Sequence, residues 1–401
     1  MQSTPKSNRL QIGIFGRRNV GKSSLMNALT SQYVSIVSDV AGTTTDPVEK
    51  PMELPPLGPV LFIDTAGVDD EGSLGGQRIA RTRKILERAD IGIIVAEGKN
   101  WNKYEDELLK ELQKRQIPII VAFNKSDLSQ PSENLLAYLN QQKIPYINTI
   151  ATDGFGVLDL QKILIDATPA DYFNSVGIIG DLVKPGEMAV LVVPIDQEAP
   201  KGRLILPQVQ TIRDLLDNNA GCIVIKENEL TSVLNNLKQP PAIVITDSQA
   251  FQKVAAETPT DIPLTSFSIL FARYKGDLVE YIAGTQTIDK LKPGDAILIA
   301  EACTHHPITD DIGRVKIPRW LNKYVGGQLN FTHHQGHDFP EDLSQYKLVI
   351  QCGSCMLNRR EVLSRIWYCK QAGVPVTNYG LTIAWTLGIF ERATTLFNKK
   401  P

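Results

Sequence analysis

The sequence contains no long apolar run, no excess of either charge and few cysteines, and each shortage closes off a class of protein. Its longest apolar stretches, such as 91–96 and 296–300, are strand-length, far short of the roughly 20 residues needed to cross a bilayer. No membrane association is expected. The opening Met-Gln-Ser-Thr-Pro-Lys-Ser-Asn-Arg-Leu lacks an apolar signal core and runs straight into a strand pattern, so a cytoplasmic location is expected. Lys and Arg number 42 against 44 Asp and Glu, a net charge of −2, so no global basic field exists to hold a nucleic-acid backbone. No nucleic-acid partner is expected. Five cysteines in 401 residues cannot form a disulfide framework, and in a reducing compartment they read as free thiols or metal ligands.

What is present is ordinary folded composition, with 42% hydrophobic and 21% charged residues, and enough chain for two to three domains at about 150 residues each. Strand-like runs at 10–15, 60–63, 91–95, 117–123 and 146–150 alternate with helical patterns at 23–29, 79–88, 106–115 and 134–141. That alternation predicts a mostly parallel sheet covered by helices. A last helix at 156–167 closes the unit, and 168–186, with its prolines and glycines, reads as a linker. A smaller α/β segment follows, with strands at 188–195, 222–225 and 242–245 and no constellation of catalytic side chains, which suits an oligomerisation element. From about 263 a third unit begins, with a helix at 267–281, strands at 296–300, 328–332 and 348–351, and helices at 316–324 and 361–371. The expected boundaries are 1–170, 171–262 and 263–401, an α/β protein throughout.

Gly16-Arg-Arg-Asn-Val-Gly21-Lys22-Ser23 matches the P-loop pattern between a strand and a helix. Its backbone N–H groups and the helix start cradle phosphates, Lys22 reaches their oxygens, Ser23 binds Mg²⁺, and Ser24 adjoins it. Asp64-Thr65-Ala66-Gly67 ends a strand, placing the Asp64 carboxylate for Mg²⁺ and the Gly67 amide near a γ-phosphate. Asn124-Lys125-Ser126-Asp127 follows a buried strand, and the Asp127 carboxylate can accept both N1–H and N2–H of guanine, a pair of donors adenine lacks. Between them, Gly42-Thr-Thr44-Thr-Asp46 reads as a switch whose Thr44 completes the Mg²⁺ shell.

These elements, in this order, are similar to those of the TrmE and Era branch of GTPases over roughly residues 9–170. Ile150-Ala151 stands where that branch usually has Ser-Ala, leaving the Ala151 amide as the contact to guanine. Val68 occupies the position where Ras-like proteins carry glutamine, so intrinsic hydrolysis is expected to be slow. Asn19 matches the asparagine that supports K⁺ binding in the TrmE branch, with a turn-forming asparagine as the alternative. The Arg17-Arg18 pair is assigned no role.

All five histidines fall between His305 and His337, near Cys303-Thr-His305 and Cys352-Gly-Ser-Cys355. Each cysteine group follows a predicted strand, and parallel strands bring their carboxyl ends to one sheet edge. A metal site is therefore expected. Thiolates suit zinc and iron–sulfur alike; three cysteines without an obvious fourth favour a 4Fe–4S cluster with one non-cysteine or open position. His305 is the nearest fourth ligand or a supporting residue, and His333, His334 and His337 are alternatives. Cys369 and Cys222 read as packing residues.

With the stretch 199–210, Ala-Pro-Lys-Gly-Arg-Leu-Ile-Leu-Pro-Gln-Val-Gln, the whole chain resembles the HydF family of FeFe-hydrogenase maturation GTPases. The resemblance implies a homodimer through the middle domain, a 4Fe–4S cluster in the third, and a scaffold for the two-iron subcluster precursor. It also implies the radical-SAM maturases HydE and HydG and the apo-hydrogenase as partners. That family usually has histidine immediately before its C-x-x-C, where this chain has Gln351, a poor iron ligand. The rival reading is a GTPase acting on RNA or ribosome with a zinc-binding C-terminal domain. It lacks a basic, aromatic-interleaved stretch.

Overall fold

The computed structural model describes residues 4–31, 48–65, 75–169, 172, 177–195, 202, 204–303 and 311–397. They form two compact units, 1–174 and 175–401. No helix among the described residues is long and apolar enough to cross a membrane.

The first unit is built on β1 (Leu10–Phe15), β2 (Val48–Leu54), β3 (Gly58–Asp64), β4 (Ile91–Ala96), β5 (Ile119–Asn124) and β6 (Tyr146–Thr149). They lie in the order β2-β3-β1-β4-β5-β6. β1, β4 and β5 are buried at every position, which is what parallel strands covered on both faces require. Their residues alternate between two cores. Ile12, Ile14, Ile93 and Val95 meet Leu25, Leu29, Leu160 and Leu164 of the helices Lys22–Ser31 and Val157–Asp166 on one face. Phe15, Leu61, Ile94 and Val121 meet Ile85, Leu109, Leu112 and Leu139 on the other. β2 was not anticipated; it pairs antiparallel to β3 from Val48↔Asp64 to Leu54↔Gly58, and its edge position gives it a weak, half-exposed pattern.

The second unit carries two parallel four-stranded sheets. One has the order β10-β9-β7-β8, from β7 (Met188–Val192), β8 (Gly221–Ile225), β9 (Ile243–Thr246) and β10 (Leu264–Ser266). The other has the order β12-β11-β13-β14, from β11 (Ala296–Glu301), β12 (Asn330–Gln335), β13 (Leu348–Gln351) and β14 (Val376–Asn378). One apolar cluster joins them, with Val190 and Val244 of the first sheet packed in the same core as Leu298 and Val349 of the second.

Three features differ from the sequence pattern. β10, expected inside the third unit, pairs with β9 through Leu264↔Val244 to Ser266↔Thr246, because three buried residues are enough for an edge strand. The expected helix at 267–281 is two helices, Phe267–Lys275 and Leu278–Thr285, with Asp277 capping the second by accepting from the Glu280 N–H at 3.1 Å. In the expected linker, Ile178, Ile179 and Val183 are core residues. The Asp214 carboxylate accepts from the Ile179 and Gly180 N–H groups, both at 2.7 Å, and that fixes the segment on its sheet.

Candidate functional site: a nucleotide pocket and a cysteine edge

In the first unit, the carboxyl end of β1 leads into the loop 16–21 and then the helix Lys22–Ser31. Gly16 (φ +145°) and Gly21 (φ +90°) take left-handed backbone, and a Cβ at either would lie 2.2 Å from the Val95 carbonyl or the Asn124 amide nitrogen respectively. Only glycine fits there. The Lys22 ammonium folds back over the loop, donating to the carbonyls of Gly16 at 2.8 Å and Arg17 at 2.6 Å. The Ser23 hydroxyl donates to the Asp64 carboxylate at 2.7 Å, so the two oxygens expected to hold Mg²⁺ already face each other. Ser23 and Ser24 are exposed at the mouth of the loop.

β5 ends at Asn124, whose amide donates to the Val20 carbonyl at 2.8 Å. Its oxygen accepts from the Ala151 N–H at 3.0 Å and the Thr149 hydroxyl at 3.3 Å. One side chain thus ties the phosphate loop, β5 and the 149–151 segment together. Lys125, at φ +56°, donates to the Asn19 carbonyl at 2.5 Å and the Glu97 carboxylate at 2.7 Å. That ion pair lowers the pKa of Glu97. Asp127 is exposed beyond it. Asn19 sits at φ +63°, a region asparagine tolerates. Thr44 and Gly67 lie outside the described residues.

Arg17 has a partner that the sequence reading missed. Its guanidinium makes a bidentate pair with Glu105, at 2.7 and 3.0 Å, and lies 5.5 Å from the Tyr104 ring centroid. Glu105 is only 1% exposed and also closes the capping box with Asn102. The Asn-x-x-Glu spacing at 102–105 was the available signal.

In the second unit, β11 lies between β12 and β13, with Ala300 opposite both His334 and Gln351. Cys303 follows β11 and Cys352 follows β13, so both leave adjacent parallel strands at the same edge. The Cys352 N–H donates to the Ala300 carbonyl at 3.0 Å. The Ala302 N–H in turn donates to Cys352 Sγ at 3.1 Å, and the Ser354 N–H, from a residue at φ +52°, at 3.4 Å. Burial, followed by the nearby Cys352 and Cys355, pushes the Cys303 thiol up to about 12. Burial, then Cys352, raises Cys355 to about 11, and burial raises Cys352. Cys303 and Cys355 thus sense the charge of Cys352, and as free thiols all three remain protonated at neutral pH. A bound cation would reverse that preference and release the protons.

Among the described residues, no group of three or more His, Cys, Asp or Glu is assembled as a metal cage. His305 lies outside the described residues. The other candidate histidines have partners away from the cysteines. His333 is 3.2 Å from the Gly313 carbonyl, His334 pairs with Asp338 at 3.8 Å, and His337 meets Glu361 at 2.9 Å. The Gln351 oxygen accepts from the Tyr281 hydroxyl at 3.1 Å, while its amide nitrogen is buried without a hydrogen bond. Cys369 is fully buried in the apolar core, and Cys222, the second residue of β8, is half-buried.

Two further groups at this edge carried no sequence signal. Glu301, the last residue of β11, is 3% exposed and accepts from the Tyr379 hydroxyl at 3.1 Å and the Gln335 amide at 3.2 Å. Lys275 is buried beneath the C-x-x-C loop, and burial lowers its pKa to about 8 against the opposing pull of Cys355 and Cys352.

Residues 11–125 match the family described as 50S ribosome-binding GTPase, 178–276 the Hydrogen maturase F dimerization domain, and 279–396 the Hydrogen maturase F tetramerization domain. The first unit is a GTPase domain, and the other two matches together take up more than half of the chain. Among curated relatives, GTPase Der of Kosmotoga olearia is 32% identical over 192 residues, 44% of this chain and 43% of that protein. The tRNA modification GTPase MnmE of Heliobacterium modesticaldum is 38% identical over 155 residues, 38% of this chain and 32% of that protein. The chain thus spans less than half the length of these relatives. The G domain of the T. maritima FeoB iron transporter is 23% identical with a TM-score of 0.33, covering 40% of this chain and 99% of that one.

Proposed function

The chain belongs to the hydrogen maturase F family, and from that premise we propose that it is a GTP-hydrolysing scaffold. In this reading it holds a 4Fe–4S cluster on Cys303, Cys352 and Cys355 and takes part in assembly and transfer of the two-iron subcluster precursor of FeFe hydrogenase. The observation that carries it is the departure of Cys303 and the C-x-x-C from adjacent parallel strands at one sheet edge. The donor types suit the group: three cysteines follow two adjacent strands, backbone N–H groups already point at Cys352 Sγ, and a buried ammonium lies behind the loop. Such a cluster, when bound, supplies an iron that an incoming precursor can bridge to. Gln351 holds its oxygen on Tyr281 and does not serve as fourth ligand, which leaves His305, a carboxylate, water or hydroxide.

In the first unit, the loop amides and Lys22 bind the phosphates, and Ser23, Asp64 and Thr44 hold Mg²⁺, whose charge offsets that developing on the phosphoryl oxygens. Asp127 and the Ala151 amide read guanine, the Gly67 amide meets the γ-phosphate, and K⁺ bound beside Asn19 stimulates an otherwise slow hydrolysis. The dimerization and tetramerization matches support oligomerisation, with a homodimer through the middle domain. HydE, HydG and the apo-hydrogenase are the partners that this role requires.

Anaerobic purification of the full chain tests the reading. Brown protein with matched iron and sulfide and a reduced-state EPR signal is expected. Colourless protein carrying zinc and no sulfide would overturn the cluster.

A further inference from the structure

Lys275 is the last residue of the helix Phe267–Lys275, which packs Phe267, Leu270 and Phe271 into the core of the β10-β9-β7-β8 sheet. Its side chain is 2% exposed. The ammonium donates to three carbonyls of a single loop: Leu357 at 2.6 Å, Cys355 at 3.1 Å and Ser354 at 3.4 Å. Three donors meet three acceptors, which saturates the group. The tie is returned from the other side, where Arg359 donates to the carbonyls of Tyr274 at 2.8 Å and Gly276 at 3.2 Å. The helix end and the loop 352–359 therefore hold each other in both directions.

Burying an ammonium is costly even when its hydrogen bonds are satisfied, and an apolar side chain of similar length would fill the same space without that cost. The charge is therefore explained by the loop it holds. Lys275 also falls at the end of the dimerization-domain match, whereas the loop falls within the tetramerization-domain match. One side chain thus fixes a segment of the third domain to the last helix of the second.

We propose that Lys275 is the positioning residue of the cysteine loop, setting the backbone of 354–357 so that Cys352 and Cys355 face Cys303, and standing behind the loop as counter-charge to a thiolate-bound cluster. The positioning half stands on the hydrogen bonds alone; the counter-charge half rests on the cluster reading above.

The test uses the full chain with Lys275→Met, which keeps length and loses charge and donors, and Lys275→Arg, which keeps charge and donors. Hydrogen–deuterium exchange of the metal-free proteins is followed on the peptide covering 352–359, with the β7 peptide as reference. Lys275→Met is expected to speed exchange of the loop peptide by about ten-fold while β7 is unchanged, and Lys275→Arg is expected to restore most of the protection. Unchanged loop exchange in Lys275→Met would overturn the positioning half. After iron and sulfide loading, the midpoint potential of Lys275→Met is expected below those of wild type and Lys275→Arg, because the reduced cluster loses a nearby positive charge. Equal potentials at equal iron content would overturn the counter-charge half. If Lys275→Met does not fold, Lys275→Gln provides the neutral comparison with the same expected and overturning results. If the wild type takes up no iron, the cluster reading and the counter-charge half fall, while the exchange measurement still decides the positioning half.

Discussion

The nucleotide pocket and the cysteine edge occupy equivalent places, the carboxyl ends of parallel strands, yet hold their functional groups in opposite ways. In the pocket three of the described side chains are already paired: Lys22 with loop carbonyls, Ser23 with Asp64, Asn124 with Val20 and Ala151. The loop is preformed, and phosphate and Mg²⁺ exchange for contacts of the same kind. At the edge, three cysteine thiols sit where burial opposes their charged form. Backbone amides bind phosphate with the chain in one conformation, whereas thiolates need an ion to offset the charge they bring. On the proposed reading, phosphate replaces contacts that the pocket already makes, whereas a metal at the edge displaces thiol protons on binding.

The largest expected effect is at the edge. Cys352→Ala removes the sulfur on which two N–H groups converge, and iron and sulfide after anaerobic loading should fall to background. Cys369→Ala, a change in the apolar core, should retain both once folded. Equal iron in the two variants would break the contrast between ligand and packing cysteines.

In the pocket the corresponding change is graded. Asp127→Asn exchanges a carboxylate that accepts two guanine N–H groups for an amide, a loss of about 3 kcal/mol or roughly 100-fold in GTP affinity. Xanthosine triphosphate binding should improve in the same variant. Titration with both nucleotides measures this, and equal ATP and GTP affinity in the wild type would refute the guanine assignment.

The buried thiols also predict a pH response of the metal-free chain. Burial pushes the thiols of Cys303, Cys355 and Cys369 up to about 12, 11 and 12 in the folded chain, against near 8.5 when unfolded. Above pH 8.5 the unfolded chain binds fewer protons, so stability falls as pH rises. Lys275 acts in the opposite sense, because its folded value of about 8 lies below its unfolded one and favours the folded state as pH rises. Together the raised thiols, Cys352 and Cys222 among them, outweigh the one ammonium, so the net effect between about pH 8 and 9.5 is a loss of stability. The melting temperature should drop by several degrees, and metal loading should abolish the drop. A melting temperature that rises over this range would show that the thiols are not buried as described.

The pocket was legible in the sequence because its parts are short contiguous motifs at strand ends, each joining a strand to a defined loop. The cysteine groups were legible for the same reason, since strand 296–300 and strand 348–351 announce where Cys303 and Cys352 emerge. What supports them was not. Lys275 acts on carbonyls about 80 positions away, Tyr281 on Gln351 and Tyr379 on Glu301 from similar separations, and a single residue that acts through long-range packing leaves no periodicity or motif. The break after Lys275 had a local signal, Gly276-Asp277, which the helical spacing of apolar residues over 267–281 masked. β10 and the buried Ile178 and Ile179 were misplaced for a related reason, since short apolar segments beside Pro and Gly read as connection until a sheet edge claims them.

The smallest effect tests whether the pocket, too, depends on a cation for more than Mg²⁺. Asn19 is exposed at φ +63°, and its backbone carbonyl already accepts from Lys125. A turn-forming asparagine and a K⁺-binding one therefore share the same backbone and differ only in what the side-chain amide does. Asn19→Ala confuses the two, because alanine is strained at positive φ by about 1 kcal/mol. Asn19→Gly separates them by keeping the left-handed turn and removing only the amide. With K⁺ bound at the amide, the wild type should hydrolyse GTP several-fold faster in potassium than in sodium at equal ionic strength. Asn19→Gly should bind GTP as the wild type does and hydrolyse it at one rate in both salts. If the wild type itself shows no preference between the two ions, Asn19 is there for its turn, and the contrast between a preformed pocket and an ion-dependent edge becomes complete.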